Sequence, residues 1–348
     1  MVNGPVFVAE FTTNHMGNLN VLLRMAERAA WAGCGLIKMQ KKHVASFYSA
    51  EKLDAPYESP YGHTYRDYRS MFEFEREDFD RFDQRCRELG VGWFATAQDL
   101  QSLEFLLGYD LPLYKVASSN ARNHELLREV AKQVPRDREL VISVAGSTLD
   151  EIDTTLGMFP HHSVYLLHCV AQYPCPAESL RLGNLTVLQR EFASERVRIG
   201  YSGHETGLAA SYAAVDMGAR MIERHFCLSR HSFVHHIECS LEPHEYRTLV
   251  DDVRAGVSLR GRYRELPHEA FSARFGMSAI EHQFLVEQTY SKSFVGQESR
   301  FRVGAPPNVQ TQTPDGAHLG ADDSSATDTV SVHSTTAAGE PEPVRHAA

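Results

Sequence analysis

Two histidines stand at the ends of short apolar runs, His204 just past IGYS and His225 closing MIERH. Two imidazoles, completed by water and substrate oxygens, make an open divalent-metal site if the fold brings those ends together. The plain alternative is two unrelated histidines, among eighteen, satisfied by local hydrogen bonds. Two lysines lie inside apolar runs, Lys38 in GLIKMQ and Lys115 in LPLYKVAS. A buried ammonium is costly unless paired. It is either half of an internal salt bridge, a receptor for phosphate or carboxylate, or the Schiff-base lysine of a metal-free aldolase. Other polar residues close similar runs: Glu10, Gln40, Thr96, Asp99, Ser118, Asn120, Ser143, His168, Tyr173, Ser202 and Glu223. Lysines, hydroxyls and histidines gathered at one rim suit a phosphorylated or carboxylated anion beside a metal.

The elements that must position these residues alternate. Eight β-rich runs are Val6–Phe11, Leu36–Gln40, Val91–Thr96, Leu113–Val116, Leu140–Ser143, Val164–His168, Ile199–Ser202 and Met221–His225. Helix signals separate them. Leu19, Leu22, Leu23, Ala26, Ala29 and Ala30 form a stripe at helical spacing that ends at Gly33. Asn123 stands where it caps a helix, Thr148 and Glu151 have capping-box spacing, and Pro243 suits a first helical turn. Alternating strands and helices imply a parallel sheet, and eight repeats in this length fit an α/β (β/α)8 TIM barrel better than an open sheet. In such a barrel the residues above meet at the C-terminal ends of the strands. The runs carrying His204 and His225 become neighbours, with Glu10 beside them.

Composition sets the limits. Of 348 residues, 43% are hydrophobic and 23% charged, which suits a globular chain with a sizeable core. A net charge of −10 argues against nucleic-acid binding, and no run of apolar residues is long enough to span a membrane. Six cysteines without CxxC pairs, in a chain whose first residues carry no export signal, read as reduced thiols of a cytoplasmic protein. Residues 1–260 carry the barrel pattern. Residues 261–301 read as a partly helical extension, with a helical piece around Ala279–Gln288. Residues 302–348, rich in Ser, Thr, Ala, Gly, Pro and Asp, read as a disordered tail. Residues 41–74, rich in Tyr, His and Pro, are too long for an ordinary connection. They read as an ordered lid or subunit contact rather than a loose loop.

The motifs along these elements are similar to those of the sialic acid synthase (N-acetylneuraminate synthase) family. VAEFTTNHMGN resembles AEIGxNHxG, and AGCGLIKMQKKHV resembles AGxDAVKFQ. YKVASSNARNHELL is similar to KIAS…LL, and SVAGSTLDEI to STGMSTLEEI. LLHCVAQYPCP is similar to LHCTSxYPxP, and IGYSGHETGLAASYAAVDMGA to GYSGHExGLxxSxAAVALGA. IERHFCLSR and CSLEP resemble IERHxTLDR and ASLEP. The matches run in order over about residues 6–256.

The resemblance implies the barrel and a metal-dependent condensation of phosphoenolpyruvate with an N-acylated hexosamine, such as N-acetylmannosamine or its 6-phosphate. The products are phosphate and a sialic-type (nonulosonic) acid. It implies that His204 and His225 hold a divalent ion, Mn or Mg, that polarises the open-chain aldehyde. Lys38, Lys115, Thr96, Ser118, Ser143 and Ser202 would grip the phosphate and carboxylate of phosphoenolpyruvate. Glu10 would handle the water or the aldehyde proton, and Gln40 and Tyr173 would contact the sugar. Family lysines bind anions and form no Schiff base, and a homodimer is the expected assembly.

Several positions depart from the family pattern, and they are expected mostly on the sugar side. Asn120 replaces an acidic or small residue, Val144-Ala145-Gly146 a Thr-Gly-Met, Ala171-Gln172 the Asn or Ser before the tyrosine, and Arg181 an Asn. His236 stands where an Asp grips sugar hydroxyls. A neutral imidazole accepts one hydrogen bond and a protonated one none, so polyol binding by that route is expected to weaken below about pH 6.5. Residues 261–348 show no pattern of the family's C-terminal antifreeze-like domain. These departures leave room for a different acceptor aldehyde, or for a barrel that has lost catalysis and serves as a binding or scaffold protein. The intact set of Glu10, Lys38, Lys115, His204 and His225 favours the enzyme.

Overall fold

The computed structural model describes residues 4–287. In chain order its strands are β1 (Val6–Glu10), β2 (Leu36–Lys41), β3 (Pro56–Ser59), β4 (Gly62–Thr64), β5 (Gly92–Ala97), β6 (Leu113–Val116), β7 (Glu139–Ser143), β8 (Val164–His168), β9 (Val197–Gly203) and β10 (Met221–His225). β3 and β4 form a separate hairpin. The other eight close into a parallel barrel in the order β1-β10-β9-β8-β7-β6-β5-β2. Each of the eight sequence runs is a barrel strand, with ends shifted by two residues at most.

Strand alternation explains why chemistry gathers at one rim. Val8, Phe94, Leu113, Val141, Leu167 and Met221 belong to one apolar cluster, distinct from the larger one formed beneath the helices. Two residues further along the same strands, on the same face, stand Glu10, Thr96, Lys115, Ser143, Cys169 and Glu223. An apolar plug thus ends in a polar layer. The register aligns it: Glu10 pairs with both Lys38 and His225, Thr96 with both Gln40 and Lys115, and Ser202 with Glu223.

The helices begin and end where the sequence signals them. Asn18 caps α1 (Leu19–Trp31) by accepting from Asn20 and Val21, and the chain leaves that helix through Gly33 at φ +84°. After β2 come α2 (Val44–Phe47), α3 (Ala50–Asp54), the hairpin and α4 (Tyr65–Ser70). The outer layer then continues with α5 (Arg76–Leu89), α6 (Leu100–Leu107), α7 (His124–Gln133), α8 (Leu149–Gly157), α9 (Gly183–Phe192), α10 (Ala209–Asp216) and α11 (Pro243–Arg254). Asn123 caps α7, Thr148 and Glu151 close a capping box on α8, and Pro243 opens α11.

Residues 41–74 form an ordered cap. Tyr48, Tyr57, Tyr61, Tyr65, Tyr68 and Phe72 pack ring against ring, with Tyr68 fully buried. His235, in the loop after β10, ties the cap to the barrel through Tyr57 Oη (3.0 Å) and the Tyr68 ring (5.2 Å).

The chain beyond α11 folds back over the barrel. The expected helix around Ala279–Gln288 is a short turn, α12 (Ala279–His282), continued by a π turn over Gln283–Glu287. Residues 288–301 and the expected tail, 302–348, lie outside the described residues. The extension accounts for most of the departures from the family pattern. Leu285 packs with Ala145, Cys169 and Ala171, and a Cβ at Gly146 would press on Leu285 and Met277. Arg181, at φ +51°, pairs with the fully buried Glu281 at 3.1 Å. Asn120 is buried and ties Gln98 to Asn123. These residues are not on the sugar side: among the departing positions only His236 lines the cavity described below.

Removing Arg181 would take its direct ion-pair partner from a buried carboxylate that otherwise accepts from Ser278 and feels the more distant Arg122 charge. Arg181→Met should therefore lower stability by about 3 kcal/mol, and Arg181→Met combined with Glu281→Met by much less. Urea unfolding checks this; a single variant as stable as wild type would show that the ion pair does not hold the extension.

Candidate active site

All the candidate residues meet at one cavity at the C-terminal ends of the strands: Glu10, Lys38, Gln40, Thr96, Lys115, Ser118, Ser143, Tyr173, Ser202, His204, His225 and His236. The cap adds Lys42, Tyr48, Tyr65 and Arg69, and the extension adds Phe284 and Leu285.

The floor is a network of buried charges. Lys115 Nζ lies 3.0 Å from Glu223 Oε2 and donates to Ser143 Oγ at 2.6 Å. Ser202 Oγ donates to Glu223 Oε1 at 3.0 Å. Lys38 Nζ lies 2.7 Å from Glu10 Oε2 and 3.6 Å from Glu223 Oε1. The Lys38–Glu10 contact is an ion pair in which Oε2, sealed from solvent, accepts no well-aligned hydrogen bond. Glu10 Oε1 accepts from Gln40 Nε2 (2.8 Å) and the Thr12 backbone N–H (3.1 Å). Burial and the neighbouring Lys115 charge push Lys38 down to about 8, against the pull of Glu223. Burial alone would raise the Glu223 carboxyl, but Lys115 and Lys38 outweigh it and hold it below the usual carboxylate range. Both ammoniums are thus ion-paired, which combines the salt-bridge and anion-receptor readings and does not suit a free Schiff-base amine.

Thr96 Oγ1 is buried without a hydrogen bond. Ser118 Oγ accepts from the Ala145 N–H at 2.9 Å and lies 3.3 Å from Cys169 Sγ.

The histidine rings stand 5.3 Å apart, centre to centre. His204 Nδ1 meets the Val170 carbonyl at 2.7 Å, which places the proton on Nδ1 and leaves Nε2 bare. His225 Nδ1 faces Cys239 Sγ at 3.6 Å. Burial pushes His204 down to about 3 and His225 well below its ordinary value. Two neutral imidazoles, each with a free nitrogen, fit a divalent cation chemically. Among the described residues no three His, Cys, Asp or Glu converge as ligands, so water and substrate would complete the shell.

Tyr173 spans the site, its ring 4.3 Å from both His204 and His236 and 5.3 Å from Phe284. His236 sits in the left-handed region at φ +64°. Burial, with His235 and Arg69 nearby, pushes it down to about 4. It is therefore neutral from pH 5.5 to 8, and the pH effect expected near 6.5 does not arise from this ring.

Other strand-end residues are structural. Asp99 caps α6 and holds the His43 N–H, and His168 Nε2 meets the Leu180 carbonyl. Glu223 is the functional residue whose role sequence reasoning misses. Its signal is an acidic residue two positions before His225, on the same strand face and within reach of two lysines needing a counter-charge.

The fold and site define a TIM-barrel enzyme whose polar rim is built around buried lysine–carboxylate pairs and two neutral histidines. The chain matches the NeuB family over residues 25–265 and belongs to it. It is similar to the N-acetylneuraminate-9-phosphate synthase of Drosophila melanogaster, 34% identical over 254 residues, covering 72% of this chain and 67% of that protein. The human protein of the same name is 32% identical over 255 residues, 72% of this chain and 70% of its own. Among solved structures, the N-acetylneuraminic acid (sialic acid) synthetase from Leptospira borgpetersenii in complex with citrate superposes with a TM-score of 0.63 at 26% identity. That match covers 83% of this chain and 93% of the other. The protein is thus an enzyme of the synthase class.

The position of Lys38 gives the floor a pH signature. Below pH 8 its ammonium is present, and above it the charge is lost. Sulfate stays a dianion throughout, so its association constant should hold from pH 6 to 7.5 and then fall by up to roughly tenfold per pH unit above 8. Calorimetry on wild type and Lys38→Met checks this: a wild-type constant unchanged to pH 9.5 would show that Lys38 does not hold the anion.

Proposed function

We propose that the chain condenses phosphoenolpyruvate with an N-acylated hexosamine aldehyde, N-acetylmannosamine or its 6-phosphate, giving a nonulosonic acid and phosphate. The observation that carries this reading is the juxtaposition of the paired-lysine floor with two neutral histidines in one cavity. Membership of the NeuB family and relatives named N-acetylneuraminate-9-phosphate synthase support it.

Lys38 and Lys115 offer cationic donors to the phosphate and carboxylate of phosphoenolpyruvate, with Thr96, Ser118, Ser143 and Ser202 supplying hydroxyls. Glu10 carries a proton to or from the reacting water or aldehyde oxygen at Oε2, the oxygen without an aligned hydrogen bond. Gln40, which fixes the other oxygen of Glu10, and Tyr173 face the sugar. His204 and His225 would hold a divalent ion, Mn or Mg, which when bound supplies Lewis-acid polarisation of the aldehyde. The cap and the Phe284–Leu285 wall exclude water from the bond-forming centre. The six buried, unpaired thiols suit a reducing cytoplasm, and a homodimer remains the proposed assembly. Among the described residues no helix is long and apolar enough to cross a membrane.

The test is phosphate release from phosphoenolpyruvate with Mn²⁺ and each acceptor; no release with any hexosamine would overturn the reading. His204→Ala and His225→Ala should each abolish Mn²⁺ binding in calorimetry while the far-UV spectrum keeps its barrel signature. Unchanged Mn²⁺ affinity in both variants would remove the histidines from the metal site.

A further inference from the structure

β1 ends in Glu10, and the chain turns sharply just beyond it. The turn Phe11–Asn14 is closed by the Asn14 N–H, which donates to the Phe11 carbonyl at 2.9 Å. Both of its ends are clamped. Phe11 is fully buried against Phe82 and Phe226, with ring centres at 6.5 and 5.7 Å, and its N–H donates to the Lys38 carbonyl at 2.9 Å. Asn14 Nδ2 donates to the Phe226 carbonyl at 2.8 Å and to Ser240 Oγ at 3.0 Å. A turn held in this way dictates the backbone of the residue after Phe11, and Thr12 stands there at φ +43°. Glycine, asparagine and aspartate dominate left-handed turn positions, and a β-branched residue in one is strained. The pattern AEIGxNHxG, which this segment resembles, has a glycine at the position of Thr12.

Such strain persists only where the surroundings over-determine it, and it gathers at functional sites. Thr12 lines the cavity, and its hydrogen bonds run to the reacting centre. Its backbone N–H donates to Glu10 Oε1 at 3.1 Å. Gln40 Nε2 donates to the same oxygen at 2.8 Å and to Thr12 Oγ1 at 3.4 Å. A side-chain amide has two N–H donors. Gln40 thus spends one on Glu10 and the other on Thr12. A glycine would keep the backbone N–H and lose the second anchor. The terminal torsion of a glutamine is soft, so the Gln40 amide would then be free to swing away from Glu10.

We propose that Thr12 is a positioning residue: its hydroxyl, carried on backbone suited to glycine, locks the Gln40 amide against Glu10 and so sets the orientation of the Glu10 carboxylate. The inference rests on the condensation proposed above, in which Glu10 moves the proton.

The experiment measures kcat/KM for N-acetylmannosamine or its 6-phosphate, whichever turns over, with phosphoenolpyruvate and Mn²⁺ held saturating. Thr12→Gly relieves the strained backbone, which outweighs the extra freedom of glycine in the unfolded chain. Its urea midpoint should therefore hold or rise, while kcat/KM for the acceptor falls by roughly tenfold. The KM for phosphoenolpyruvate should stay within about twofold. Thr12→Ser, which keeps the hydroxyl, should restore most of the loss. Because Thr12 acts through Gln40, adding Thr12→Gly to Gln40→Ala should lower kcat/KM no further. A Thr12→Gly variant as active as wild type would overturn the proposal. So would losses that multiply in the double variant, or a clear drop in the urea midpoint, which would make Thr12 a packing residue. If no acceptor releases phosphate from phosphoenolpyruvate, the condensation reading itself has failed. The lock is then judged by NMR, from the hydrogen exchange of the Gln40 side-chain amide. Faster exchange in Thr12→Gly than in wild type sustains it, and equal rates end it.

Discussion

Four charged side chains at the barrel floor set the terms for everything above them. Lys38, Lys115, Glu10 and Glu223 are each nearly sealed from water, and a charge in that position persists only when its neighbours compensate it. The compensation comes from backbone register. Pairing Glu10 with Lys38 on β2, and Ser202 on β9 with Glu223, places opposite charges and hydroxyls side by side. A one-residue slip of any of these strands would turn its charge into the apolar layer beneath the helices. The same network reaches the histidines. His225 is adjacent to Glu10 in register, and besides burial the charge of Lys38 helps to keep its imidazole neutral. The lysine–carboxylate and histidine halves of the site are thus two consequences of one closed ring of strands.

Much of this is legible in the amino-acid sequence. Strand runs, helix caps and strand-end chemistry are local signals, and they survive because the barrel repeats one local unit eight times. What escapes a linear reading is the relation between distant segments. Glu223 is visible as a strand-end residue, but its counter-ion role needs β10 to face β2 and β6 across the floor. Arg69 and Lys42 carry no motif; only the folding of residues 41–74 over the rim brings them to the cavity. Burial escapes in the same way, and so the sequence places the titration of His236 near 6.5 when its surroundings hold it near 4.

The departures from the family pattern make sense as a group once the extension is in place. Small residues at Ala145, Gly146 and Ala171 leave room for Leu285 and Met277, and Arg181 anchors Glu281. A cluster that reads as a changed sugar pocket is instead a seat for the chain's own C-terminal segment. That segment brings Phe284 and Leu285 to the wall of the cavity. The wall of the cavity in this protein is therefore shared between the barrel, the cap and the extension.

In the proposed function, one cavity holds an enolpyruvyl phosphate on its lysine floor next to a divalent ion on its histidines. The most direct measurement is the 31P relaxation rate of phosphoenolpyruvate in the presence of the protein and substoichiometric Mn²⁺. A strong paramagnetic enhancement is expected, and it should disappear in the combined His204→Ala, His225→Ala variant while phosphoenolpyruvate still binds. A protein that binds both ligands without any such enhancement would contradict the shared site.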